Sequence, residues 1–176
     1  KRNKKKYRYS LISQNTKVSP VKKNILIFDA KKNSNKLQRI LKSLKFFKQE
    51  KFIVTYGDGI SNVDIKSLLK FSKNSECTIT SIKTRSQYGH VVLGKNNVLK
   101  KFIEKPFLKE PINIGFYVFK KNIILKNSTK NIDLEDSLLP KLIKRTKIKS
   151  YLHKGYFYSV DNQKDLDQLK KIYGQK

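Results

Sequence analysis

Phe52-Ile53-Val54-Thr55-Tyr56-Gly57-Asp58-Gly59 is the stretch that decides the fold. Four β-branched and aromatic residues in a row have the composition of a buried strand. Gly57-Asp58-Gly59 ends that strand abruptly and leaves one carboxylate at its C-terminal end, between two residues with no side chain to obstruct a ligand. In an open α/β sheet, ligands bind outside the carboxyl ends of the strands. A carboxylate there suits a Mg2+ ion that carries a nucleotide. A plain turn with a solvated Asp is the alternative for so short a motif.

Outward from this point, strand and helix patterns alternate. Asn24 to Phe28 has strand composition. Leu37, Ile40, Leu41 and Leu44 follow at helical spacing, with Ser34 available as the cap. After Asp58, Asn62 or Ser61 can cap a second helix with Ile65, Leu68 and Leu69 on its inner face. Cys77 to Ile82 is a strand, and Val91–Leu93 and Val98–Ile103 flank the turn Gly94–Asn97 as a hairpin. Pro106 and Pro111 bracket an irregular loop. A strand over 114–119 and a helical face of Leu134, Leu138, Leu139, Leu142 and Ile143 come next. Strands at 148–152 and 156–160 follow, and then a C-terminal helix carrying Leu166, Leu169 and Ile172, with Asp161 or Asn162 at its start. The expected class is α/β with a mixed, mostly parallel Rossmann-like sheet and helices on both faces. Residues 1–23 are basic and weakly patterned, and are expected as an arm or the remnant of an upstream element. Residues 24–176 are expected as the domain.

Composition narrows the function. The 176 residues suffice for one domain with a real core. A formal net charge of +28 invites a nucleic-acid partner. Yet 36 of the 41 basic residues are Lys and only 5 are Arg, and they are spread along the whole chain. With 14 Asn, 18 Ile and 1 Ala, the bias has the form that AT-rich coding produces. A basic RNA- or DNA-binding module therefore stands as the alternative, and the aromatics, which fall inside apolar runs, are expected in the core rather than on a stacking surface. The charge should attract polyanions such as nucleotides and sugar phosphates. The lone Cys77 excludes an intrachain disulfide and is expected as a buried thiol, in keeping with a reducing, cytosolic setting. No apolar stretch reaches 18 residues, and no apolar h-region follows the basic start Lys1–Lys6.

Further residues can carry chemistry. Asp161 ends the run Tyr156–Val160 and can join Asp58 on a cation, although an N-cap is the simpler role. Glu104-Lys105-Pro106 ends a strand with a hydroxyl acceptor beside a phosphate-binding ammonium, and an exposed ion pair is the commoner use of such a tripeptide. Asn113 opens another strand, and Tyr88-Gly89-His90 offers bare backbone. His90 and His153 have no Cys companions and are expected as structural or surface residues.

Taken in order, residues 52–65, Tyr88-Gly89, Glu104-Lys105-Pro106, 113–118 and Gly155 to Asp161 resemble the sugar-phosphate nucleotidyltransferases. Thr55-Tyr56-Gly57-Asp58-Gly59 is worded most like glucose-1-phosphate cytidylyltransferase. The resemblance implies transfer of a nucleotidyl group from an NTP, CTP by this wording, to a sugar 1-phosphate, with release of pyrophosphate. It implies Mg2+ held by Asp58 and Asp161, nucleotide against Tyr56 and Gly57, sugar against Gly89, Glu104 and Asn113, and sugar phosphate on Lys105. Asp58 and Lys105 are the implied catalytic residues. It also implies a cytoplasmic enzyme, no membrane contact, and a possible homo-oligomer. Two features depart from the family. Its Gly-rich opening loop is missing, with no Gly in the first 56 residues and no Met anywhere. The expectation is therefore a chain without the first βα units that does not catalyse by itself. Asp29-Ala30-Lys31-Lys32-Asn33-Ser34-Asn35-Lys36 also stands where cytidylyltransferases carry a Thr-Gly-Gly-Arg-like segment, with Lys36 for the Arg.

Overall fold

The structure is a computed structural model that describes residues 9–13, 25–29, 33–129 and 132–173. In chain order the elements begin with β1 (Tyr9–Ser13), β2 (Ile25–Asp29), α1 (Lys36–Leu44), β3 (Lys51–Thr55), β4 (Gly59–Ser61) and α2 (Ile65–Phe71). The hairpin region follows as β5 (Cys77–Ile82), β6 (His90–Leu93), β7 (Leu99–Ile103) and β8 (Ile112–Lys120). After them come α3 (Lys121–Asn127), a π-helical turn (Leu134–Leu138) running into α4 (Leu139–Ile143), β9 (Lys149–His153), β10 (Phe157–Ser159) and α5 (Gln163–Tyr173). Strand β1 falls inside the stretch expected as an arm or remnant. The rest of residues 1–23 lies outside the described residues, as do residues 30–32 of the Asp29–Lys36 segment.

The chain forms two compact units, one of residues 1–52 and 120–147, the other of 53–119 and 148–176. In the first, β1 and β2 pair in parallel. Helix α1 begins on a capping box: Asn35 Oδ1 accepts from Gln38 N at 2.9 Å, and Gln38 Oε1 accepts from Asn35 N at 3.1 Å. Ser34, the expected cap, is buried, and its hydroxyl accepts from Lys42 Nζ at 3.0 Å instead. Leu37, Ile40 and Leu44 of α1 are buried, as their spacing requires, each stabilising the fold by about 1.5–3 kcal/mol. Asn35 Nδ2 donates to Ile132 O at 3.1 Å, and Lys36 pairs with Glu135 at 3.2 Å, tying α1 to the π-helical turn. Leu134, Leu138 and Leu142 are buried as expected, whereas Ile143 is exposed.

The second unit holds a four-stranded sheet in the order β3-β8-β5-β9. The sheet is mixed: β5 runs parallel to β9 and antiparallel to β8. Strands β5 and β8 are central and buried on both faces, which is why their sequences lack a polar alternation. Two ribbons complete the unit, β4 with β10 and β6 with β7, both antiparallel. The β6–β7 turn places Asn96 and Asn97 at φ +53° and +58°, the left-handed pair that a type I′ hairpin needs. This hairpin corrects one expectation. Tyr117 and Phe119 are core, but Tyr88, Phe102 and Phe107 are exposed at 76%, 59% and 63%, because a two-stranded ribbon has no layer against it. Helix α2 is capped by Asp64, two to three residues later than expected. Its carboxylate accepts from Lys66 N and the Ser67 hydroxyl, and the Ser67 bonds hold it below the usual carboxylate range. Consequently Ile65 faces solvent and Leu68 is buried. Only Leu169 of the expected α5 face is buried; Leu166 and Ile172 are exposed. Among the described residues, no helix is long and apolar enough to cross a membrane.

Cys77 is fully buried at the start of β5, and burial pushes its thiol up to about 12. An unfolded thiol ionises near pH 8.5–9, so above that the unfolded chain releases a proton that the folded chain retains. The contribution is constant below pH 9 and falls by about 1.4 kcal/mol per unit as pH rises toward 12. Urea titrations at pH 8 and pH 10 should show a smaller loss of stability in Cys77→Ala than in the parent; equal losses would place the thiol in water.

Candidate active site

Residues 56–59 leave the end of β3 and enter β4. Strand β4 pairs with β10 through Ser61↔Phe157, Ile60↔Tyr158 and Gly59↔Ser159, and Val160 N donates to Asp58 O at 2.9 Å. The antiparallel ribbon therefore brings the residue before β4 to the residues after β10. Asp58 and Asp161 stand one register step apart at the same end of it. Both are exposed. Among the described residues, no hydrogen bond or ion pair engages either carboxylate. The N-cap role open to Asp161 is filled by Asn162, whose Oδ1 accepts from Asp165 N at 3.1 Å and whose carbonyl accepts from Leu166 N at 3.2 Å. A Cβ added to Gly57 would meet nothing within 4 Å, so the approach to Asp58 from that side is open.

Behind this loop lies a network of phenols. Strand β8 bulges opposite Thr80, since Ile79 pairs with Tyr117 while Ser81 pairs with Asn113. Gly115 sits in the bulge at φ +74°, and a Cβ there would lie 2.6 Å from Tyr56 Cδ2. Glycine is required twice over, by the dihedral and by the close approach of the Tyr56 ring. Asn113 Oδ1 accepts from Gly115 N at 3.1 Å, Asn113 Nδ2 donates to the Tyr117 hydroxyl, and that hydroxyl is 3.2 Å from the hydroxyl of Tyr56. Asn113 was expected to meet a sugar hydroxyl. Its amide oxygen and nitrogen are both engaged within the chain, and they fix the bulge that seats Tyr56.

The remaining expected residues gather at the base of the β6–β7 hairpin. Gly89 lies against Phe102 and Glu104: a Cβ on it would collide with the Phe102 ring and come within 3.0 Å of Glu104 Oε2. Lys105 adopts φ +43°, a strained conformation for a residue with a side chain. Arg85 Nη1 donates to its carbonyl at 3.2 Å while the guanidinium lies 4.3 Å from the centre of the Phe107 ring. Ser86 N to Pro106 O and Leu108 N to Thr84 O close the base on either side. The structure thus brings Asp58 to Asp161, Tyr56 to Asn113, and Gly89 to Glu104, with Lys105 next in chain. Sequence reasoning did not single out Arg85, Tyr117, Ser61 or Asn62. Their partners are 20 to 95 residues away, and no local pattern marks them.

Among the described residues, no group of three or more His, Cys, Asp and Glu is arranged to hold a metal. What the ribbon offers is two uncommitted carboxylate oxygen donors beside open space. That donor set fits a hard divalent cation that completes its coordination with phosphate oxygens and water.

A mixed α/β sheet with carboxylates at one ribbon end defines a phosphate-handling class of protein. Within that class the chain belongs to the Nucleotidyl transferase family, whose model matches residues 2–169. It is 30% identical over 140 residues to the probable glucose-1-phosphate cytidylyltransferase of Bacillus subtilis (strain 168), covering 78% of this chain and 55% of that protein. It is 26% identical over 132 residues to the mannose-1-phosphate guanylyltransferase catalytic subunit beta of Drosophila melanogaster, covering 72% of this chain and 36% of that one. Among solved structures, HddC from Yersinia pseudotuberculosis shares the fold with a TM-score of 0.70 at 22% identity, over 93% of this chain and 76% of that one. The resemblance to sugar-phosphate nucleotidyltransferases is thereby borne out. The chain spans between about a third and just over half the length of these two relatives.

Gly115→Ala should lower the unfolding free energy by about 2 kcal/mol or more, through the left-handed backbone and the collision with Tyr56. Urea denaturation measures it, and a loss under about 0.5 kcal/mol would show that the bulge relaxes freely.

Proposed function

We propose that this chain carries the site of a sugar-1-phosphate nucleotidyltransferase, which joins an NTP to a sugar 1-phosphate and releases pyrophosphate. Family membership supports the reaction class. The observation that carries the site is the β4–β10 register, which sets Asp58 beside Asp161 with neither carboxylate committed elsewhere among the described residues. Asp58 and Asp161 would hold a Mg2+ ion, which supplies charge neutralisation to the phosphates when bound.

The chain's own groups do the rest by positioning. Gly57 leaves room for the nucleotide, and Tyr56, seated by Gly115 and Tyr117, fixes one wall. Glu104 accepts from sugar hydroxyls, and Gly89 keeps the space beside it clear. Lys105 binds the sugar phosphate, with its backbone held at φ +43° by Arg85. The phosphate oxygen of the sugar attacks the α-phosphorus of the NTP, a P–O bond to it forms, and the bond to the leaving pyrophosphate breaks. No proton need move, because the nucleophile is already an anion.

We assign CTP as the nucleotide, on the Thr55–Gly59 wording and the Bacillus subtilis relative. The guanylyltransferase relatives make GTP the competing base. A buried free thiol suits the reducing cytoplasm. A nucleic-acid-binding module is not favoured, since the family match covers nearly the whole chain.

Asp58→Asn, assayed on the protein as expressed from its gene, should lower the rate of pyrophosphate release at least about 100-fold, with the melting temperature within about 2 °C of the parent. Parental turnover in that variant removes Asp58 from the site. A panel of CTP, GTP, UTP, dTTP and ATP tests the base separately, and a preference for GTP overturns the CTP assignment alone.

A further inference from the structure

His153 is a buried titratable side chain with no part in the chemistry above, 8% exposed at the last position of β9. Strand β9 belongs to the four-stranded sheet, where His153 pairs with Ile82 of β5. Its imidazole, however, reaches out of that sheet to the ribbon. Nε2 lies 3.0 Å from Asn62 Oδ1, 3.3 Å from Ser61 Oγ and 3.3 Å from Tyr156 O.

The hydrogen-bond directions are fixed by the neighbours. Tyr156 N donates to Asn62 Oδ1 at 2.9 Å, so that oxygen is an acceptor. Ser61 Oγ donates to Tyr156 O at 2.7 Å, so its proton is committed and a lone pair faces the ring. Nε2 thus faces three acceptors and must carry the hydrogen. The turn after β9 is shaped to this arrangement, because a Cβ on Gly155 would collide with the Asn62 amide and lie 2.7 Å from His153 Cε1.

The consequence lies at the far end of the ribbon. Strands β4 and β10 have three residues each, too few to hold their own register. Ser61 ends β4 and Tyr156 precedes β10. One imidazole N–H therefore clamps both strands at the end away from Asp58 and Asp161, and ties them to the sheet. We propose that His153 is a positioning residue for the Asp58–Asp161 pair, acting through the Ser61-Asn62-Tyr156 clamp to hold the two carboxylates in register for a divalent cation. The proposal rests on the assignment of those two aspartates as the cation pair.

The test is a Mn2+ titration of the nitrogen-15-labelled protein, read as paramagnetic broadening of the amides of residues 56–60 and 158–162. The wild type should broaden there, and the Asp58→Asn/Asp161→Asn double variant should not. His153→Phe, which keeps the volume and removes the donor, should need at least about tenfold more Mn2+ for the same broadening. His153→Gln restores an N–H near the Nε2 position and should stay within about threefold of the wild type. Wild-type titration by His153→Phe overturns the proposal, as does equal loss in His153→Gln. If His153→Phe does not fold, Asn62→Ala removes the same acceptor from an exposed position, and wild-type titration by that variant overturns it equally. A wild type that does not broaden at these amides, or a double variant that broadens like it, fails the aspartate assignment first and the proposal with it.

Discussion

The site depends on the hydrogen bond from Val160 N to Asp58 O, because it sets the register of a ribbon only three residues long on each side. Side chains alternate faces along a strand, so a slip of one residue would turn Asp161 away from the face it now shares. Ribbons of this length do not hold themselves. At the opposite end the hydroxyl of Ser61 and the amide of Asn62 meet the backbone of Tyr156 at 2.7 and 2.9 Å. The two ends together fix what neither strand can fix alone. They also explain why two residues 103 positions apart in sequence can act on one ion.

Electrostatics and strain divide the labour elsewhere. A chain of net charge +28 draws in polyanions from any direction, and that attraction weakens within a Debye length of about 8–10 Å at physiological salt. Diffuse charge raises the local concentration of a phosphate but does not orient it. Orientation needs a cation held in one place, and Lys105 is held by an unfavourable backbone conformation costing on the order of 1–2 kcal/mol. The bonds around it, Arg85 to its carbonyl and Ser86 to Pro106, offset that cost. The dense lysines and the single strained lysine therefore serve different ends.

Much of this was legible in the sequence because the informative residues end apolar runs. Asp58 after Phe52–Thr55 and Asp161 after Tyr156–Val160 could be placed at strand ends without coordinates, and Cys77 in a Thr/Ile-rich run could be placed in the core. Strand β4 could not: Gly59-Ile60-Ser61 has no period to detect, and it is a strand only because β10 lies beside it. Helix α3 was missed because Lys121 continues β8 with no glycine or proline to mark a break. The caps were a different failure, since Asn35-Lys36-Leu37-Gln38 carries the capping-box spacing openly and Ser34 was chosen for its residue type alone. The exposed Phe102 and Phe107 misled because apolar runs signal strands, and a strand in an uncovered ribbon buries neither face.

The phenol network shows how such a site can persist while its relatives diverge to about 30% identity or less. Tyr56 is held by a ring-to-backbone contact with Gly115, whose conformation is held by Asn113, whose amide also holds Tyr117. Each link is non-local or conformational, so no single segment encodes it. A change that keeps the left-handed glycine and the short polar side chain two residues before it leaves the bulge intact, whatever the flanking strand residues become. Constraint then concentrates on a few positions at strand ends, while the strand interiors need only remain apolar and fill their volume. The exposed, uncommitted carboxylates follow from the same economy. Groups meant for a ligand gain nothing from partners inside the chain, so the burden of placing them passes to backbone bonds and to side chains such as Tyr117 and His153, which a ligand need never touch.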